Sequence, residues 1–328
     1  MLNLQRHWYA RSLTWLTFLL LPLSYLFRLI VALRLFLYKH GIIKTVHFPL
    51  PVIIVGNLTV GGTGKTPLVI WLARFLKSHH WRPGIVSRGV GGLAQTMPVW
   101  VDKQAEPDKV GDEAVLLARQ SDCPIVICVN RVAAVRELLA KTDCNIILSD
   151  DGLQHYRLGR RIEIAIIDGD RQFGNGHVLP AGPLREIKKR LQQVNLVVQH
   201  GGKNEKNYFS MQLEGTRLIS LAVPQQNLPL SHFANTKVHA VAGIGNPRRF
   251  FSTLRQQGLD IIEHIFPDHY LYQKEDFNFL DSLPIVMTEK DKVKCELLAD
   301  NRFWYFPVET KIDQQFEKNL LTLLKGEN

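Results

Sequence analysis

From about residue 46 onward, short apolar runs take turns with amphipathic stretches. Segments 52–55, 84–87, 124–129, 145–148, 162–167 and 196–199 have the length and apolar character of buried strands. Between them, 67–76, 114–119 and 132–139 repeat apolar residues at helical spacing. Apolar strands alternating with helices predict an α/β fold with a mostly parallel sheet flanked by helices. The periodicity weakens over 200–235, where Gly201, Gly202, Asn204 and Pro224 suggest a connection between domains. A second, smaller α/β unit then runs from 238–241 and the turn Gly243-Ile244-Gly245-Asn246-Pro247, through 285–288, to an amphipathic helix near 313–325. The expected division is a membrane-associating segment over 1–45, a larger domain over 46–225 and a smaller one over 226–328.

The first 45 residues follow neither pattern. Residues 13–27 (LTWLTFLLLPLSYLF) carry no charge, and 29–37 continue apolar with Arg28 and Arg34 interrupting. No small-residue cleavage site follows, which argues against a signal peptide. The 15-residue run extends about 22 Å at about 1.5 Å per residue, short of a full span, and Pro22 is expected to kink it. An interfacial helix or helical hairpin fits, with Trp8, Tyr9, Trp15 and Tyr25 at headgroup depth. A single span and a buried apolar helix remain alternatives.

Charge strengthens that picture. Of 40 Lys and Arg, 11 precede Asp102, the first acidic residue, Arg6, Arg11, Arg28 and Arg34 among them. The remaining 29 basic and 30 acidic residues nearly cancel. The chain is thus a near-neutral body with a cationic, apolar front end suited to anionic lipid. The basic residues sit among leucines without a nucleic-acid-binding motif, so nucleic acid is not an expected partner. The cysteines Cys123, Cys128, Cys144 and Cys295 have no C-x-x-C or metal spacing and suit a reducing compartment.

The candidate chemistry starts at residues 59–66, Thr59-Val60-Gly61-Gly62-Thr63-Gly64-Lys65-Thr66, between an apolar strand and a helix. Such a turn points backbone N–H groups at phosphates, with Lys65 reaching the terminal phosphates and Thr66 bearing on Mg²⁺. This is a P-loop NTPase-like arrangement, although Thr59 stands where the usual motif has glycine. Asp150 and Asp151 end the strand at 145–148, where a P-loop fold holds Mg²⁺. Asp168 and Asp170 are an alternative source of metal oxygens. Arg88, Arg131, Arg171 and Arg185 fall at strand ends or in loops and are candidates to neutralise phosphate. The Gly243–Asn246 turn is a weak candidate for a second anion site. The Gly/Pro-rich segment 173–186 is too long for an ordinary turn and marks a functional loop.

Taken in order, Thr59 to Thr66, Ser87-Arg88-Gly89, Val110-Gly111-Asp112-Glu113, Asp150-Asp151-Gly152-Leu153-Gln154-His155, Leu179-Pro180-Ala181-Gly182-Pro183-Leu184-Arg185-Glu186, Phe266-Pro267-Asp268-His269 and Thr288-Glu289-Lys290-Asp291 resemble the tetraacyldisaccharide 4′-kinase family, the lipid A 4′-kinases of Gram-negative bacteria. The likeness covers the N-terminal apolar segment to about residue 295, and it accounts for Thr59, because that family's loop has the GGxGK[ST] form. It implies transfer of the ATP γ-phosphate to the 4′-hydroxyl of a tetraacylated disaccharide 1-phosphate, at the cytoplasmic face of the inner membrane and with no obligate protein partner evident. It also implies that Asp112 and His269 act as a dyad beside Lys65, with the carboxylate taking the hydroxyl proton and domain closure on ATP assembling the pair. Glu186 resembles a metal-site residue, together with Thr66, Asp150 or Asp151. The rival from another class, a P-loop switch GTPase, needs [NT]-K-x-D, and in Thr288-Glu289-Lys290-Asp291 the lysine falls one place late.

Overall fold

Every residue of the strand β1 (Val52–Gly56) is buried, because helices or loops cover both of its faces. Its side chains alternate: Ile53 and Val55 enter one apolar cluster, Val52 and Ile54 the other. The computed structural model describes residues 4–10, 12–93, 96–203, 205 and 207–326; Arg11 and Asn204 lie outside them. Around β1 assemble β2 (Pro83–Ser87), β3 (Val99–Trp100), β4 (Ile125–Ile127), β5 (Ile146–Asp150), β6 (Ile162–Asp168), β7 (Leu196–His200) and β8 (Phe209–Glu214). A smaller sheet takes β9 (Arg217–Ser220), β10 (Asn227–Pro229), β11 (Lys237–Ala242), β12 (Asp260–Ile265), β13 (Ile285–Thr288) and β14 (Phe303–Phe306). The last strand, β15 (Glu309–Ile312), returns to the larger sheet, giving the order β15-β8-β7-β6-β1-β5-β2-β4-β3. All its neighbours pair in parallel except the two edges, β15 on β8 and β3 on β4.

This topology corrects the expected boundaries. β9 precedes residue 226, yet belongs to the smaller sheet. After β15 the helix Gln314–Lys325 buries Phe316, Leu320 and Leu324 in the larger core. The smaller unit is therefore an insertion, with the chain crossing between units twice. The connection expected over 200–235 also contains β8 to β10. Their alternating exposure, as in Phe209–Glu214, hides them from a search for continuous apolar runs.

At the N-terminus, the helix Leu21–Lys39 has Pro22 in its first turn, so the proline starts this helix rather than kinking it. Leu20, Ser24, Phe27, Val31 and Leu35 form its less exposed stripe, at spacings of three and four. Phe27 packs on the larger core and the Ser24 hydroxyl donates to the Val178 carbonyl. Trp8 Nε1 donates to the Pro180 carbonyl at 2.9 Å. The opposite side exposes Leu23, Leu26, Leu29, Ile30, Leu33 and Phe36, with Trp15, Phe18 and Leu19 just before it. By length and composition this helix can cross a membrane.

Candidate active site

The phosphate loop is built against a second loop. The Val60 amide donates to the Pro183 carbonyl at 2.8 Å and the Arg185 amide to the Leu58 carbonyl at 2.6 Å, with Thr59 bridging Leu184. The segment 179–186 thus runs beside residues 58–60. Gly64 precedes the helix Lys65–Ser78 with φ 100°, and a Cβ there would come within 2.5 Å of His200 Nδ1. Having no side-chain cap, this helix leaves its first N–H groups for an anion. Lys65 Nζ lies 3.2 Å from Asn57 Oδ1 and 3.5 Å from Asp151 Oδ1.

The carboxylates at the end of β5 have unlike surroundings. Asp150 Oδ2 accepts from Ser87 Oγ at 3.3 Å, while Oδ1 is buried without a partner. Burial, with Glu113 and Asp151 nearby, pushes the Asp150 carboxyl up to about 7. Asp151 has left-handed backbone, φ 48°, and takes Arg185 Nη1 at 3.0 and 3.1 Å on its two oxygens. Burial opposes its charge, but Lys65 and Arg185 outweigh it and hold this carboxyl well below the usual range. Glu186 is buried: Oε2 accepts the Tyr156 hydroxyl and Oε1 has no partner. The orphaned oxygens of Asp150 and Glu186, with the Thr66 hydroxyl, are hard donors that fit Mg²⁺. No set of three His, Cys, Asp or Glu side chains forms a metal site among the described residues.

Across from these groups the smaller unit supplies His269. Its Nδ1 lies 2.8 Å from Asp112 Oδ1, at the start of the helix Asp112–Ser121. Asp112 is 2% exposed, and its Oδ1 also accepts from the Glu113 amide at 2.8 Å. His269 is the accessible member and has left-handed backbone, φ 62°. Burial resists the imidazolium, but the hydrogen bond that Nδ1 donates to Asp112 outweighs it and raises the ring above its usual value. Burial likewise resists the Asp112 carboxylate, and His269 with Lys290 lowers its pKa nonetheless. The pair is made in this conformation, across the two units.

Further contacts bring the two units together at the phosphate loop. Arg171 Nη1 donates to the Gly245 carbonyl at 2.6 Å and Nη2 to Asn246 Oδ1 at 2.9 Å. Asn246 Nδ2 donates to Asp168 Oδ2 at 3.0 Å, and Arg249 pairs with Asp168 and Asp170. Arg249 Nη1 also lies 2.8 Å from His200 Nδ1, itself 3.0 Å from the Thr63 carbonyl. Burial beside Arg249 pushes His200 down to about 4, so the ring is neutral. Asp168, Asp170 and Arg171, expected as metal or phosphate ligands, are engaged in this latch instead. The Gly243–Asn246 turn lies directly on the phosphate loop. Arg131 also departs from expectation: 1% exposed, it donates to the Cys128 carbonyl at 2.6 Å and the Asp150 carbonyl at 3.3 Å, bracing the end of β5 rather than facing phosphate. Arg88 is exposed at the end of β2 and Arg185 faces Asp151. Sequence reading missed His200 and Arg249, which no local motif marks.

A parallel sheet whose central strand leads into a phosphate-binding turn, with paired acids on the neighbouring strand and a histidine–aspartate pair opposite, defines a P-loop kinase. A family model described as tetraacyldisaccharide-1-P 4′-kinase matches residues 16–325. A tetraacyldisaccharide 4′-kinase of Nitrosococcus oceani is 52% identical over 322 residues, covering 98% of this chain and 94% of that protein. One from Coxiella burnetii is 47% identical over 327 residues, covering 99% and 96%. The crystal structure of LpxK from Aquifex aeolicus in complex with ATP superposes with a TM-score of 0.78 at 28% identity, covering 94% of this chain and 99% of that one. The chain belongs to the tetraacyldisaccharide 4′-kinase family.

Proposed function

We propose that this kinase transfers the γ-phosphoryl group of ATP to the 4′-hydroxyl of a tetraacyldisaccharide 1-phosphate, forming lipid IVA in lipid A biosynthesis. The backbone of Gly61 to Thr66, the helix dipole and Lys65 hold the β- and γ-phosphates in line for attack. Thr66, Asp150, Asp151 and Glu186 are the residues to hold Mg²⁺, which when bound neutralises charge on the phosphate oxygens. The 4′-oxygen bonds to the γ-phosphorus as the bond to the β,γ-bridging oxygen breaks, and ADP leaves. The hydroxyl proton goes to His269 Nε2. The carrying observation is the geometry of the pair: Asp112 is buried with Oδ1 on Nδ1 of the ring, so the carboxylate orients and the more exposed imidazole accepts. This reverses the roles expected from sequence.

The acceptor's acyl chains suit the exposed apolar face of residues 15–36, held at the cytoplasmic surface of the inner membrane with the exposed Arg28 toward anionic lipid. Incubation with γ-labelled ATP and tetraacyldisaccharide 1-phosphate in detergent tests the reading. Labelled lipid supports it; label released only as free phosphate points to a nucleotide switch instead.

A further inference from the structure

The ring of His269 is surrounded by negative charge. Asp112 sits on Nδ1, Asp268 Oδ2 lies 3.8 Å from Nε2, and Glu113 follows Asp112 on the same helix. Two carboxylates on one imidazole, with a third beside them, favour a proton on the ring, and a base that is already protonated accepts nothing. The positive charges come from one element, the helix Glu289–Cys295. Thr288 caps it, its hydroxyl accepting from the Asp291 amide at 3.1 Å and donating to Asp291 Oδ2 at 2.8 Å. That cap aims Lys290 and Lys294, four residues apart on one face, at the dyad.

Lys290 Nζ lies 3.0 Å from Glu113 Oε1, 3.0 Å from Asp268 Oδ1 and 3.8 Å from Asp112 Oδ2. Lys294 Nζ lies 3.7 Å from the same Oδ2 and 2.9 Å from Asp291. Asp112 Oδ2 is buried and accepts no hydrogen bond, so it meets these two cations by charge alone. Lys294 is largely committed to Asp291; Lys290 bridges carboxylates from both units. We propose that Lys290 is a positioning residue of the phosphoryl transfer: it clamps Glu113 and Asp268 across the domain interface and offsets their charge, which keeps His269 free to take the acceptor's proton. The proposal rests on the reading of His269 as the base. Lys290 also opposes the ring's protonation in the charge balance around it, against Asp112 and Asp268.

The test is titration of the His269 ring, followed by NMR of histidine-labelled full-length enzyme and assigned with His269→Gln, alongside the pH profile of kcat. In Lys290→Met the ring should titrate at least about one pH unit higher and the acid limb of kcat should move up with it. Lys290→Arg should restore both toward the parent values. An unchanged ring titration in Lys290→Met overturns the proposal. A ring that shifts while the acid limb stays put keeps the role of Lys290 and overturns His269 as the base. Should the Met variant fail to fold, Lys290→Gln removes the charge while keeping a hydrogen-bond donor, and the same outcomes decide.

Discussion

Gly245 sits where the smaller unit touches the phosphate loop, and substituting it by alanine separates the two. A Cβ built there would lie 2.2 Å from the Gly62 nitrogen and 2.7 Å from Gly62 Cα, both backbone atoms of the loop that cradles phosphate. An ordinary contact is about 3.5 Å, so the turn must withdraw by about 1.3 Å. No flexible side chain lies between to absorb the change. The turn joins β11 to the helix Pro247–Gln256 of the smaller unit, so its withdrawal pulls against the Arg171 latch and carries the smaller unit, and His269 with it, away from the phosphates. A misplacement of about 1 Å at the reacting groups costs about 100-fold in rate. Steady-state kinetics with tetraacyldisaccharide 1-phosphate in detergent should therefore show kcat for Gly245→Ala reduced by about that factor, with a melting temperature within a few degrees of the parent. Parental kcat and KM for ATP in a folded Gly245→Ala enzyme would refute the idea that this backbone contact sets the distance between the units.

Other expectations follow from the same geometry. His269→Ala should lower kcat by about 10²- to 10⁴-fold with little change in KM for ATP, and full turnover at saturating ATP would remove the dyad from the mechanism. The pH dependence of stability has a definite sign. The raised His269 contributes stability that is complete below its unfolded value of about 6.5 and lost as pH rises through its folded value. The lowered Asp112 contributes above its unfolded value of about 3.9 and loses that as pH falls through its folded value. Urea midpoints measured between pH 5 and pH 9 should thus fall toward the alkaline end by more in the parent than in Asp112→Asn, and parallel curves would count against the ion pair. Leu26→Asp with Ile30→Asp leaves the docked stripe untouched and should weaken partition into anionic vesicles at least tenfold, since each buried leucine or isoleucine contributes about 1.5–3 kcal/mol. Unchanged partition would put the membrane contact elsewhere.

What the chain discloses before folding is what lies within one turn of itself. Residues 59–66 carry their own explanation, because strand, glycines and lysine are contiguous and the chemistry needs nothing distant. Asp150-Asp151 likewise announces itself at a strand end. Asp112 and His269, 157 residues apart, were legible only through resemblance to a family, since neither has a local signature. The latch was not legible at all. Asp168 and Arg171 have the composition of a metal or phosphate site, and only the insertion of the smaller unit, which brings Asn246 and Arg249 to them, turns them into structural partners. Arg131 misled for a related reason: a strand-end arginine reads as exposed until Cys128 and Asp150 bend their carbonyls around it. β8 to β10 were lost because strands with one wet face lack the unbroken apolar run that marked β1 and β4.

The long loop over 173–186 is gripped at two places. Near its middle, Val178 and Pro180 accept hydrogen bonds from Ser24 and Trp8 of the apolar front end, while Arg185 and Glu186 stand beside the phosphate loop. Only a handful of residues separate the two attachments. The loop is therefore a fixed spacer between the apolar front end and the phosphate loop. With the front end on a membrane as proposed above, an acceptor whose chains stay in the lipid would present its sugar at a height set by the protein rather than by diffusion. Lengthening that spacer by one or two residues should misalign acceptor and phosphate even with every catalytic side chain in place.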